Sequence, residues 1–297
     1  MVDSFGVLIV TFNSSMDVFN IINSAMSSTE VILVVDNGSS EGAVKEKLRS
    51  YSLNNSNFYF IELESNTGLG YAQNYGLKKM KELNVNYVIL FDQDSEVTSD
   101  FFIDSLEAYK VANNIFENLG ILVPVYIDKK ENQPALFTVK EGRRYIKTFI
   151  NEPYQRVSFA NASGMIFRLD LVEELGGMRE DFFIDQIDVE FCKRVTEAGY
   201  TIVATNQLKI VHTVGEGQQT RIGKLTIKHS NHNALRRYYI ARNSIIVRNL
   251  YKDDRVFVRL VEKRLMKTFF VCFLEKKKFS KIFAIIRGAH DGIFYKK

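Results

Sequence analysis

Tyr87-Val88-Ile89-Leu90-Phe91-Asp92-Gln93-Asp94-Ser95 sets two carboxylates directly behind five largely apolar residues. A run of that length and composition reads as a strand buried on both faces, as in parallel sheets. Asp92-Gln93-Asp94 then lies at the C-terminal end of the strand, where open α/β sheets bind their ligands. Residues i and i+2 of an extended stretch point to one side. Asp92 and Asp94 can therefore share a hard cation that bridges the oxygens of a diphosphate. Two acids one residue apart also make ordinary solvated turns, and only the preceding strand weighs toward the first reading.

Working outward, the same alternation repeats. Residues 5–12 form an apolar strand, 17–26 a helix, and 31–35 a second buried strand cut off by Asp36-Asn37-Gly38-Ser39-Ser40. Residues 43–51 read as a helix, 58–63 as a third strand, and 69–83 as a helix entered through a glycine-rich turn. Strands separated by helical stretches indicate βαβ units and a parallel sheet. Right-handed crossovers then bring the strand ends to one edge. Downstream, residues 121–126 predict a strand, 128–156 a loop or hairpin excursion, and 159–168 a strand. A short helix at 171–175 is broken by Gly176-Gly177, and 185–198 is helical. Two more strands follow at 200–204 and 209–212. From Thr226 onward the pattern reads as helical and basic.

Four further places carry residues suited to chemistry. Asp36 ends its strand as Asp92 does, and a carboxylate there can accept hydrogen bonds from a ribose or base; Asp-Asn-Gly-Ser is equally a good turn by itself. Asn66-Thr67-Gly68-Leu69-Gly70-Tyr71-Ala72-Gln73-Asn74 opens a helix with glycines, which let backbone approach a nucleotide closely. Gln73 stands where the dinucleotide fingerprint needs its third glycine, which disfavours a nicotinamide enzyme. Asp185 and Asp188, with Glu190 nearby, are three apart at the expected start of a helix. They would share a face and supply a general base or complement the helix dipole. His212, behind a short strand, is a possible metal ligand.

Composition narrows the class. The 297 residues are 46% hydrophobic and 25% charged, with 2 cysteines. This is a globular composition with no disulfide framework or cysteine-based zinc site. The first residues lack the features of a signal peptide, and no apolar run reaches the roughly 18 residues of a membrane span. A cytoplasmic setting is the expectation. Residues 1–220 hold 19 Lys and Arg against 30 Asp and Glu, whereas residues 221–297 hold 20 against 5. An acidic body with a basic tail calls for an acidic partner near the tail. Alternating basic and apolar stretches suit an anionic membrane surface better than nucleic acid, for which no module is present.

Taken in order, these segments resemble the family 2 inverting glycosyltransferases with the GT-A fold. The matching residues are Val10-Thr11-Phe12-Asn13, Val35-Asp36-Asn37-Gly38-Ser39, the Asn66 to Gly76 stretch, and Phe91-Asp92-Gln93-Asp94. Ala162-Ser163-Gly164-Met165 and the stretch from Phe182 through Asp188 to Cys192 follow, with His212 behind. Asp-Gln-Asp, Phe182-Phe183-Ile184-Asp185 and Arg237-Tyr238-Tyr239-Ile240-Ala241-Arg242-Asn243 look most like the bacterial rhamnosyltransferases. The resemblance implies a GT-A catalytic domain over residues 1–220 and a basic helical region over 221–297. It implies that Thr11, Phe12, Asn13 and Asp36 hold base and ribose, and that Asn66, Gly70, Asn74 and Asp92 line the nucleotide-sugar site. Asp94, Asp92 and His212 would hold Mg2+ or Mn2+. Asp188 matches the place of the base; Ile187 departs from the acidic pair usual there, which leaves Asp185 as the other choice.

The function so implied moves a sugar, with L-rhamnose from dTDP-L-rhamnose favoured, onto a saccharide or lipid-linked acceptor. The setting is bacterial cell-surface polysaccharide synthesis at the inner face of the membrane, and an oligomer is possible. A nucleotidyltransferase also uses paired acids at a strand end, but it would carry a basic glycine-rich loop near Thr11 to Ser15, which is missing. A catalytically inactive glycan-binding scaffold of the same fold is the other alternative. Against it, Asp92, Asp94, Asp188 and His212 are all present.

Overall fold

The computed structural model describes residues 4–98, 100–128, 133–212, 218–222, 225–229 and 231–296, with backbone alone at 212 and from 218 to 229. Among them the strands are β1 (Phe5–Thr11), β2 (Val31–Asp36), β3 (Phe58–Glu62), β4 (Tyr87–Asp92), β5 (Ser95–Glu96), β6 (Leu119–Asp128), β7 (Gln133–Pro134), β8 (Phe137–Glu141), β9 (Arg144–Thr148), β10 (Tyr154–Arg156), β11 (Met165–Arg168), β12 (Thr201–His212), β13 (Gln218–Ile222) and β14 (Leu225–His229). The helices are α1 (Val18–Met26), α2 (Ala43–Asn54), α3 (Leu69–Glu82), α4 (Asp100–Ile115), α5 (Leu169–Glu174), α6 (Ile187–Glu197), α7 (Ala234–Leu250), α8 (Arg255–Val271) and α9 (Lys278–Ile293).

One sheet runs β10-β12-β6-β11-β4-β1-β2-β3. β3, β2, β1 and β4 are parallel neighbours, as their continuous apolar runs require. β11 is antiparallel to both β4 and β6, and β12 returns parallel to β6. The fold is thus α/β, with a mostly parallel sheet flanked by helices. All the side chains of β2 are buried, and Val7, Ile9, Ile32 and Val34 are wholly enclosed.

Four expectations are corrected. The strand expected over 159–168 is only β11, because a left-handed turn at Gly164 (φ +73°), whose N–H bonds the Leu90 carbonyl, interrupts it. The two strands expected at 200–204 and 209–212 are one, β12, with an irregular register between Thr205 and Lys209. Residues 226–229 belong to the β13–β14 hairpin and not to a helix, in keeping with the β-branched Thr220, Ile222, Thr226 and Ile227. Helix α6 begins at Ile187, not 185. Helix α4 went unread because its buried face includes the small residues Ser105, Ala108 and Ala112, which dilute the apolar period.

The C-terminal helices pack into the body. Ile246 and Val247 of α7 and Phe257 and Val261 of α8 belong to the same core as the sheet. Helix α9 lies on α7 through glycines: a Cβ at Gly292 would sit 2.6 Å from the Arg242 carbonyl, and one at Gly288 would overlap the Tyr238 carbonyl. Buried Glu275, between α8 and α9, bonds both Arg237 of α7 and Lys281 of α9. Gly288→Leu is therefore expected to lever α9 off α7 and destabilise the protein by about 1–3 kcal/mol, measured as a shift in the urea midpoint at unchanged slope.

Candidate active site

The site lies along the C-terminal ends of β1, β2 and β4. Asp92 closes β4 half-buried, and Asp94 follows in the exposed turn before β5. Gln93 clamps the next strand end: its Oε1 accepts the Phe12 N–H at 2.8 Å and its Nε2 donates to the Phe12 carbonyl at 3.4 Å. The Asp92 N–H donates to Ser163 Oγ (3.3 Å), and Ser163 Oγ shares a 2.6 Å hydrogen bond with Ser95 Oγ. The motif is thus pinned on both flanks. His212 ends β12 with its backbone in register opposite Ser95, beside the motif; its side chain lies outside the described residues.

Asp36 is 1% exposed. Its carboxylate accepts from Thr11 Oγ1 (3.1 Å), the Ser39 N–H (2.9 Å) and Ser39 Oγ (2.5 Å), with Lys45 Nζ at 3.7 Å. Asn13, in the left-handed region at φ +48°, donates its N–H to Ser39 Oγ and accepts the Ser40 N–H on Oδ1. Asp36 therefore ties the β1 and β2 turns together. Of the four residues expected to hold base and ribose, Phe12 and Asn13 are the exposed ones.

Asn66 Oδ1 accepts from Asn37 Nδ2 (3.1 Å) and the Gly68 N–H (3.1 Å). Asn74 is engaged far from its own turn: it donates to the Met178 carbonyl (3.0 Å) and Glu180 (2.8 Å) and accepts the Met178 N–H (2.7 Å). Gly68, at φ +95°, lets Phe183 approach so closely that a Cβ would lie 2.7 Å from the Phe183 Cα. Gly70 is likewise pressed against Arg179 and Glu180. The glycine-rich turn and α3 thus grip the segment that leads to Asp188.

That segment holds three non-glycine residues in left-handed conformations: Phe183 (φ +59°), Asp185 (+65°) and Gln186 (+66°). Each costs about 1 kcal/mol or more and persists only where the surroundings impose it. Helix α7 imposes it here. Asn243 Nδ2 lies within hydrogen-bond reach of the Phe182 (2.7 Å), Ile184 (2.9 Å) and Asp185 (3.1 Å) carbonyls. Arg242 donates to the Asp181 carbonyl (2.8 Å), and Tyr239 stacks on Phe183 at 4.9 Å. Asp185 is held by Arg236, whose Nε lies 3.0 Å from Oδ2 and Nη2 3.1 Å from Oδ1. The shared face expected for Asp185 and Asp188 is corrected accordingly: the left-handed pair 185–186 precedes α6 and turns Asp185 to α7.

Asp188 stands in the first turn of α6, half-buried, and accepts its own neighbour's N–H, that of Val189, at 2.9 Å. Burial pushes its carboxyl up to about 6, and the nearby Asp92 and Asp185 charges add to that. A carboxylate so raised is suited to take a proton near neutrality. Burial also raises Asp185, against the pull of Arg236. Gln93, Ser163, Asn243 and Arg236 were missed as site builders, because only tertiary contact shows what they hold.

No group of three or more His, Cys, Asp and Glu side chains among the described residues is placed to hold a metal. Asp92 and Asp94, two carboxylates at one strand end, are of the ligand type that hard divalent cations take.

The sequence profile of glycosyl transferase family 2 matches residues 6–176, more than half of the chain. The chain belongs to this family. Among curated proteins it is similar to the dTDP-rhamnosyl transferase RfbF of Shigella flexneri, 28% identical over 291 residues, 96% of this chain and 94% of that protein. It is also similar to the low-salt glycan biosynthesis hexosyltransferase Agl10 of Haloferax volcanii, 24% identical across 99% of this chain and 92% of that one. Among solved structures, GalNAc-T7 with UDP, GalNAc and Mn2+ superposes with a TM-score of 0.61 at 14% identity, over 83% of this chain. Residues 1–349 of S. aureus TarS give 0.50 at 18% identity, over 71% of this chain. This chain covers 47% of that GalNAc-T7 chain and 60% of the TarS one, so these two likenesses speak to the GT-A fold alone. Family membership makes the protein a glycosyltransferase and sets the nucleotidyltransferase alternative aside.

A raised carboxyl pKa in the folded state means that protonation of Asp188 favours the fold. Its contribution is fully present below the unfolded value near 3.8 and is lost as pH rises through about 6. Asp188→Asn is expected to stabilise the metal-free protein at pH 7 by about 1–2 kcal/mol, with the advantage vanishing below pH 4. Urea unfolding of both forms between pH 3.5 and 7.5 reads this.

Proposed function

We propose that this glycosyltransferase transfers L-rhamnose from dTDP-L-rhamnose, with inversion, onto a saccharide or lipid-linked acceptor in cell-surface polysaccharide synthesis. The observation that carries the sugar and nucleotide is the end-to-end likeness to a dTDP-rhamnosyl transferase, which leaves no large segment of either chain unmatched. Asp188 is the base: it takes the proton of the acceptor hydroxyl as that oxygen attacks the anomeric carbon and the bond to the diphosphate breaks. Asp185 is the poorer choice, because Arg236 holds both its oxygens. Phe12 and Asn13 face the base and ribose, with Thr11 and Asp36 fixing their turn. Asn66, Gly70 and Asn74 shape the wall of the donor site, and Asp92 reaches the donor's sugar side. Asp94 and Asp92, with His212, would hold Mg2+ or Mn2+, which neutralises charge growing on the departing diphosphate when bound.

Purified protein mixed with dTDP-rhamnose, UDP-sugars and GDP-sugars, with and without each metal, tests this by release of nucleoside diphosphate. Selective metal-dependent release from dTDP-rhamnose is expected, falling at least 100-fold in Asp94→Ala and Asp188→Asn, and falling in the parent protein as pH drops below about 6. Release from a different donor alone would overturn the rhamnosyl assignment. No release with any donor, acceptor extracts included, would favour the inactive scaffold.

The same reading sets the protein on the inner face of the membrane. No helix among the described residues is long and apolar enough to cross one. Instead α9 exposes Phe279 (79%), Phe283 (67%), Ile286 and Ile293 along one face, close to Lys276-Lys277-Lys278. Such a face suits an anionic interface. Cosedimentation with phosphatidylglycerol vesicles is expected, lost with neutral phosphatidylcholine and in Phe279→Glu/Phe283→Glu; equal sedimentation by that double variant would refute the contact.

A further inference from the structure

A cavity of about 110 Å3 reaches helix α6 at Val189, next to Asp188. Tyr126, Phe137, Phe159 and Val189 form its apolar walls, and Lys147 and Arg264 supply its charge. Val189 follows Asp188 in the chain. The Tyr126 hydroxyl lies 3.0 Å from the Ser163 carbonyl, and Ser163 is the residue that holds the Asp92 backbone. None of the residues assigned to the donor lines this space. It is therefore a second compartment, sharing only the neighbourhood of Asp188 with the first.

The two cations define its chemistry. Arg264 of α8 is half-buried. Its Nη2 donates to the hydroxyl of Thr138 (3.3 Å), and its guanidinium lies 5.6 Å from the centre of the Phe159 ring. Lys147 of β9, at the exposed rim, donates to the Leu136 carbonyl (3.3 Å). These partners are neutral, and no carboxylate lines the cavity among the described residues. Burial holds Arg264 below the usual arginine range, with Asp188 and Tyr145 pulling the other way. Lys147 is lowered by the surrounding protein and then by Arg264 and Lys267. Asp188 acts on Arg264 only through space and does not line the cavity. Shielding a guanidinium from water with no carboxylate hydrogen-bonded to it among the described residues is costly, and a pair of cations on one cavity is matched by a phosphate or carboxylate. A volume of this size exceeds several water molecules and admits such a group.

We infer that this cavity is an acceptor subsite for an anionic oxygen group, a phosphate or carboxylate that the acceptor carries near the hydroxyl deprotonated by Asp188. The assignment of acceptor rests on the transferase reading above; the anion site itself does not. The apolar walls receive the uncharged part of the acceptor, and Arg264 with Lys147 fixes its anionic end.

The test is binding, not turnover. With the donor site filled by dTDP and Mg2+, methyl phosphate, glucuronate and neutral methyl glucoside are titrated at constant ionic strength by calorimetry into the parent protein, Arg264→Gln, Arg264→Lys and Lys147→Gln. Saturable binding of at least one anion is expected. Its Kd should rise at least 10-fold in Arg264→Gln, less in Arg264→Lys, and at least 3-fold in Lys147→Gln, with dTDP affinity unchanged. Lys147→Gln lies at the exposed rim and keeps the question open to refutation if Arg264→Gln fails to fold. Preference for methyl phosphate identifies a phosphate-bearing acceptor, and preference for glucuronate an acidic sugar. Neutral glucoside bound as tightly as either anion, or anion binding unaltered in both Gln variants, overturns the inference. Failed anion binding with intact donor release sinks the subsite alone; intact anion binding with no donor release sinks the transferase chemistry and leaves the subsite.

Discussion

The carboxamide of Asn243 is the contact on which the rest of the site depends. One nitrogen faces three carbonyls of a segment whose backbone is left-handed at Phe183, Asp185 and Gln186. Without it the Ile184 and Asp185 carbonyls would lose this donor at about 1–3 kcal/mol for each group left orphaned, whereas the Phe182 carbonyl keeps the Ile184 N–H at 2.6 Å. Arg242, Tyr239 and Arg236 of the same helix add their own grip on Asp181, Phe183 and Asp185. From the other side, the Leu69 N–H donates to the Phe183 carbonyl at 2.6 Å and Asn74 holds Met178. The segment is a vice between α3 and α7, and its closing sets where α6 begins and where Asp188 points.

Electrostatics follow from that placement. Asp188 gathers with Asp92 and Asp185 in one neighbourhood, and Arg236 takes both oxygens of Asp185. A half-buried carboxylate beside two others holds its proton longer than a free aspartate does. The same crowding of negative charge is what a cation and its phosphate-bearing ligand would relieve. Asp188 thus feels the acids of the sheet edge and acts on Arg264 of the cavity.

The outer helices extend this division. Helix α7 reaches the loop, while α9, packed on α7 through Gly288 and Gly292, leaves its phenylalanines outward. The basic residues after 220 therefore differ in their surroundings. Arg236, Arg237 and Arg242 face inward to acids and carbonyls, whereas Lys276-Lys277-Lys278 stay exposed.

The strand-and-helix alternation of the first half was legible in the chain because buried parallel strands need uninterrupted apolar runs, and the ends of β1, β2 and β4 could be read within a residue. The polar motifs at those ends were legible too, since each follows its apolar run directly in the chain. What the chain could not disclose was which polar groups face each other. Asp36 and Asn74 read as ligand contacts, yet their oxygens are engaged within the protein. The choice between Asp185 and Asp188 stayed open because spacing assumes a helix, and the left-handed pair 185–186 is imposed by Asn243, nearly sixty residues away. The hairpin of β13 and β14 and the cavity of Lys147 and Arg264 were hidden for the same reason. Local pattern determines strands, helices and the residue types at their ends; long-range contact alone decides backbone against local preference, and which charges meet.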